Sequence, residues 1–92
     1  MKDGPDFEKS IESDDIQTRV IAAIADAADL EPARIELDDD IFVDLGVDSL
    51  GAVTVFVLLA DDFGVREPTD EDEIRGLNTA RKLADFVRAE LA

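Results

Sequence analysis

The sequence predicts an all-α fold, a small four-helix bundle of three longer helices and one short helix 3. Two segments near the ends of the chain repeat apolar residues at helical spacing. The apolar run between them, residues 51–64, lacks the alternation of a half-buried strand and carries both a helix-start and a helix-stop signal. The chain has 92 residues and no cysteine, so it makes one domain without disulfides. That domain is expected over 14–92, behind a leader over 1–13.

The leader, MKDGPDFEKSIES, is mostly charged, holds Gly4 and Pro5, and reads as flexible. From Asp14, Ile16, Val20, Ile24 and Ala27 or Ala28 share one helical face, with Ile21 beside them. Ser13 or Asp14 suits the cap, and helix 1 is expected over 14–29, with Pro32 opposing its continuation. Residues 30–47 form a long connection with many acids, yet Ile35, Leu37, Ile41, Phe42, Leu45 and Val47 all favour burial. A connection of that length with so apolar a content is not a plain linker. Gly46 stands where the chain must reverse. Helix 2 is expected over 49–62: Val53, Thr54, Val55 and Val57 favour strand by propensity, but Asp48-Ser49 opens the segment and Gly64 closes it. A short helix 3 is expected over 70–75. Helix 4 is expected over 79–90, capped by Asn78 or Thr79, with Leu83, Phe86, Val87 and Leu91 apolar and Arg81, Lys82 and Arg88 outside.

Composition narrows the function. Against 24 acids stand 9 bases, a net charge of −15, which repels nucleic acid and anionic membranes. Basic protein surfaces are the natural partners, and salt or a divalent cation should relieve the self-repulsion. Apolar residues make up 46% of the chain, enough for a core rather than a disordered acidic tail. No apolar run approaches the roughly 18 residues of a membrane span, and Met1–Ser10 has no secretory apolar core, so a cytoplasmic monomer is expected. Without histidine or cysteine there is no Ser-His-Asp triad and no thiolate nucleophile. An enzyme is not expected. Neither is a metal centre: Asp38 and Asp40 begin like a calcium loop, but Phe42 and Val43 fall where a ligand and the required glycine belong, and Asp70 and Asp72 fail likewise.

The informative stretch is Asp44-Leu45-Gly46-Val47-Asp48-Ser49-Leu50. A serine at a helix N-terminus, after a glycine turn and an aspartate, offers its hydroxyl to solvent in front of free N–H groups and the positive end of the dipole. Such a hydroxyl is placed to receive a phosphoryl group. Asp48 serves as a cap, or as a contact for a metal or partner. A small acidic helical interaction protein that carries no modification is the competing reading, and it would not need Ser49.

These residues, LGVDSL over 45–50, resemble the acyl carrier protein family, with the acidic loop and Phe42 before them and the apolar helix to Phe63 after them. The resemblance covers about residues 14–91. It implies a phosphodiester between Ser49 and 4′-phosphopantetheine, beside Asp48, with the arm's thiol carrying an acyl group as a thioester. It implies as partners a phosphopantetheinyl transferase and loading ligases, synthases or transferases that turn basic patches toward helix 2. Asp44, Leu50, Val53, Thr54, Val57 and Asp61 would meet them. Val55, Leu59, Phe63, Ile74 and Phe86 would line an acyl-chain cavity.

The chain departs from many fatty-acid carriers after Leu50, where Gly51 and Thr54 replace acids. Partner recognition should therefore be more apolar, in a specialised, polyketide-like pathway or a fatty-acid one. Gly51 in the first turn costs up to about 1 kcal/mol of helix stability relative to Ala. Asp48-Ser49-Leu50-Gly51, Pro68 and Asn78-Thr79 are also similar to D-alanyl carrier proteins, which makes an aminoacyl cargo the alternative. Peptidyl carriers usually have a second glycine where Val47 stands.

Overall fold

The structure is a computed structural model that describes residues 13–92. It is helical, with no strand among the described residues. Helix α1 spans Ser13–Ala28, α2 Ser49–Phe63, α3 Glu71–Gly76 and α4 Ala80–Leu91, with a single 3-10 turn at Pro32–Arg34. No described helix is long and apolar enough to cross a membrane. The expected leader lies outside the described residues apart from Ser13, and the expected cap at Ser13 or Asp14 falls at their edge.

Each boundary has a local cause. Asp70 and Thr79 are extended rather than helical, because their side chains cap α3 and α4 from outside. The Asp70 carboxylate accepts from Asp72 N, and Thr79 Oγ1 accepts from Lys82 N. Gly64 closes α2 in the left-handed region, at φ 73°. Pro32 does not end α1, as its position suggested. The helix stops at Ala28, Asp29 turns left-handed at φ 60°, and Leu30 N reaches back to Ala25 O at 2.9 Å. Pro32 instead opens the 3-10 turn, where its missing N–H costs nothing. An aspartate at a left-handed C-terminal position is strained where glycine would not be. Asp29→Gly is therefore expected to stabilise the fold by about 0.5–1 kcal/mol, a few degrees in melting temperature. An unchanged or lower thermal midpoint would contradict this reading of the helix end.

The core lies between α1, α2 and α4. Ile16, Val20 and Ile24 from α1 meet Val55 and Leu59 from α2 and Leu83 and Val87 from α4, all essentially excluded from water. On α2 the buried residues are Ala52, Val55, Phe56 and Leu59, a helical stripe at i, i+3, i+4 and i+7. The long connection contributes as well: Ile35, Ile41 and Val47 are buried. Ile41 N donates to Asn78 O and Val47 N to Ile41 O, both at 2.9 Å, so the segment before α2 is tied to the entry of α4. No polar or charged side chain is buried among the described residues.

Surface ion pairs brace this arrangement. Arg19 grips Asp62 with two nitrogens, at 3.0 and 2.7 Å, and lies 4.4 Å over the Phe63 ring, joining α1 to the end of α2. Arg81 pairs with Asp38 at 2.8 Å, joining α4 to the long connection. These pairs are exposed and screened by solvent, so apolar packing dominates stability.

Candidate functional site

The site is built around a single turn before α2. The Asp40 carboxylate accepts from Phe42 N and Val43 N through Oδ1, both at 2.9 Å, and from Asn78 Nδ2 through Oδ2 at 2.9 Å. Asp44 reciprocates, its Oδ2 accepting from Asp40 N at 2.8 Å. The arrangement is that of a capping box, closed by two aspartates. Those donors, Val43 N first and then the Asn78 amide, hold the Asp40 carboxyl below the ordinary aspartate range. A carboxyl with a lowered pKa stabilises the fold above its unfolded value, near 3.8, and loses that contribution as pH falls through the folded one. The stability advantage of wild type over Asp40→Asn should thus be full at pH 6 and shrink progressively as the pH falls below about 4. Urea midpoints of both proteins across that range measure it; a gap that is constant with pH would show that the Asp40 charge is not what holds the turn.

Gly46 then reverses the chain at φ 74°, a conformation that disfavours any side chain. Val47 is buried, and Asp48 is extended, at φ −94° and ψ −175°. The Asp48 carboxylate accepts from Gly51 N at 2.8 Å and is the N-cap of α2. A Cβ on Gly51 would stand 3.0 Å from Val47 Cγ1 and 3.3 Å from Asp48 Oδ1. A side chain here would crowd Val47 and the capping carboxylate, which works against the helix propensity it would add.

Ser49 is consequently the first residue of the helix and not its cap. Its side chain is exposed, and its hydroxyl hydrogen-bonds to none of the described residues. The N–H groups of Ser49 and Leu50 precede the first possible intrahelical acceptor and are free to meet an anion. A phosphodiester fits this position: an accessible oxygen nucleophile, a positive dipole end, unpaired donors, and a cap that does not compete for the hydroxyl.

Beside Ser49 opens a cleft of about 470 Å³, large enough for a small apolar group. Its walls are Phe42 and Val43 from the connection, Ala52 and Val53 from α2, and Ile74 and Arg75 from α3, with Asp40, Glu71 and Asn78 supplying polar atoms. Of the five residues expected around an acyl chain, Ile74 lines this cleft. Val55 and Leu59 are sealed in the core, while Phe63 and Phe86 are half-buried beneath the guanidinium groups of Arg19 and Arg66.

The expected docking residues fall on one outward face. Leu50 is 74% exposed, Val53 49% and Val57 42%, and Val43 adds 79% beside the cleft. Thr54 is exposed and bonds back to Leu50 O. Asp44, Asp48 and Asp61 are exposed around that stripe. Asp62 belongs to the Arg19 clamp, which lowers its pKa, rather than to this face.

Sequence reasoning missed the central part of Asp40, the partnership with Asn78, and the walls contributed by Phe42, Val43 and Arg75. The side-chain turn had a signal, an aspartate two and three residues before the N–H groups it accepts. Its bond to Asn78, 38 positions away, had none. Among the described residues no cluster of three or more acids, histidines or cysteines is placed to hold a metal ion. A family model described as a phosphopantetheine attachment site matches residues 18–87, taking in most of α1, the connection, the Asp48-Ser49 turn, the cleft and most of α4.

Proposed function

The chain belongs to this phosphopantetheine-attachment family, whose members carry the group covalently, and on that premise we propose that Ser49 is the residue that bears the arm and that the protein is an acyl carrier. The supporting observation is the division of labour at the start of α2. Asp48 caps the helix, so the Ser49 hydroxyl is left exposed and unbonded at the positive end of the dipole. In the modification, Ser49 Oγ forms the new phosphoester bond as the pyrophosphate linkage of coenzyme A breaks, and adenosine 3′,5′-bisphosphate leaves. The Ser49 proton passes to a base, for which this chain offers no imidazole.

Once attached, 4′-phosphopantetheine supplies a thiol that holds the cargo as a thioester. The chain's own residues give this arm a fixed root and a docking face. Leu50, Val53 and Val57 offer apolar contact to partner enzymes, and Asp44, Asp48 and Asp61 attract basic patches at its margins. The mostly apolar cleft beside Ser49 favours an acyl over an aminoacyl cargo. The scarcity of acids along the exposed stripe of α2 favours a specialised, polyketide-like pathway over a housekeeping fatty-acid one.

Intact mass before and after incubation with coenzyme A, Mg²⁺ and a broad-specificity phosphopantetheinyl transferase tests the reading. A gain of one phosphopantetheine is expected. A folded protein whose mass stays unchanged, also with transferases of different specificity, would contradict it.

A further inference from the structure

The cleft has one wall, α3, that meets the core only through partly buried side chains. Helix α3 has six residues and none is buried. A helix so short does not persist through its own hydrogen bonds. Ile74 and Leu77 are half-buried, and Asn78, two residues past α3, donates its side-chain amide to Asp40. To these holds at its C-terminal end Arg66 adds a side-chain bridge, from the connection between α2 and α3. Its guanidinium takes Glu73 of α3 with two nitrogens, at 2.7 and 3.3 Å. Its Nε donates to Glu90 of α4 at 3.2 Å, and the group lies 5.1 Å over the Phe86 ring. Glu73 is outside the cleft lining, whereas Glu71, Ile74 and Arg75 of the same helix are part of it.

We propose that Arg66 is the positioning residue of the cleft: by bridging Glu73 on α3 and Glu90 on α4 it fixes α3 as the wall beside Ser49, and its release opens that wall. The function given to the wall, sheltering an apolar acyl chain, rests on the acyl-carrier reading above. The bridge suits a wall that must open. Each bond is solvent-exposed and individually weak, so partner contact or high salt loosens α3 without disturbing the α1, α2 and α4 core. A buried apolar anchor at position 73 would hold it shut.

Amide exchange of the full chain, resolved by residue, tests the bridge. Arg66→Ala and Glu73→Gln should each speed exchange in α3 by about three- to fivefold, with Val55–Leu59 and Leu83–Val87 unchanged. Glu90→Gln, which leaves the two-nitrogen grip on Glu73, should do less, and Arg66→Lys should restore part of the protection. Unchanged exchange in α3, or an equal rise throughout the molecule, would overturn the proposal. Glu73→Gln keeps the test open if Arg66→Ala fails to fold. On protein carrying a medium-length acyl thioester, Arg66→Ala should hasten thioester hydrolysis by a similar factor. Unaltered hydrolysis with a loosened α3 would overturn the shelter. Failure to acquire phosphopantetheine at all would instead refute the carrier reading, while the exchange result would still decide the bridge.

Discussion

Ser49→Ala is expected to abolish the mass gain on treatment with coenzyme A and a phosphopantetheinyl transferase, while leaving the fold intact. The two halves of this result have separate causes. The loss is complete because the substitution removes the oxygen that forms the phosphoester bond. The fold survives because the Ser49 hydroxyl bonds to none of the described residues, and the cap belongs to Asp48, whose carboxylate accepts from Gly51 N at 2.8 Å. Alanine is a good helix former at a first-turn position, so unfolding stability should change by no more than about 0.5 kcal/mol. Asp48→Ala reverses the pattern. It should cost about 1 kcal/mol through the lost cap and keep the acceptor hydroxyl. Intact mass and denaturant unfolding of both variants separate the roles. A Ser49→Ala protein that still gains the group would place attachment elsewhere.

Ile41→Ala is expected to produce the largest loss of stability, about 2–4 kcal/mol, or about 10 °C or more in melting temperature. Ile41 belongs to no helix, yet its side chain is fully excluded from water. Its N–H donates to Asn78 O and its carbonyl accepts from Val47 N, so it sits where the connection, the entry of α4 and the turn before Ser49 meet. Truncation leaves a cavity at that junction, and the backbone bonds around it limit collapse. A loss below about 1 kcal/mol by thermal or urea unfolding would show that the connection lies on the core rather than within it.

The parts of the fold legible in the sequence are those with short-range causes. The apolar, β-branched run of α2 reads as helix because it lacks alternation and is bracketed by Asp48 and Gly64, and both act as caps in the structure. Periodicity and the family resemblance together place Val55, Leu59 and Phe63 inward and Leu50, Val53 and Val57 outward; all lie so except Phe63, which is only half-buried under Arg19. The apolar content of residues 30–47 signals burial, but not which partner each side chain meets. Long-range pairings were not legible. Asp40 looks like one more solvated acid until Asn78 is beside it, and nothing around Asp62 announces Arg19, 43 positions away. The same holds for the cleft. It forms where α3 settles against the segment before α2, and charge pairs between distant residues leave no periodic trace.

The central claim is that the phosphopantetheine arm is rooted at Ser49. The most direct test is fragmentation mass spectrometry of peptides from the modified protein. The expected result places one phosphopantetheine on the peptide containing Ser49, with bond cleavages on both sides of that residue. The same group on Ser10, Ser13 or Thr54, with Ser49 bare, would contradict the account.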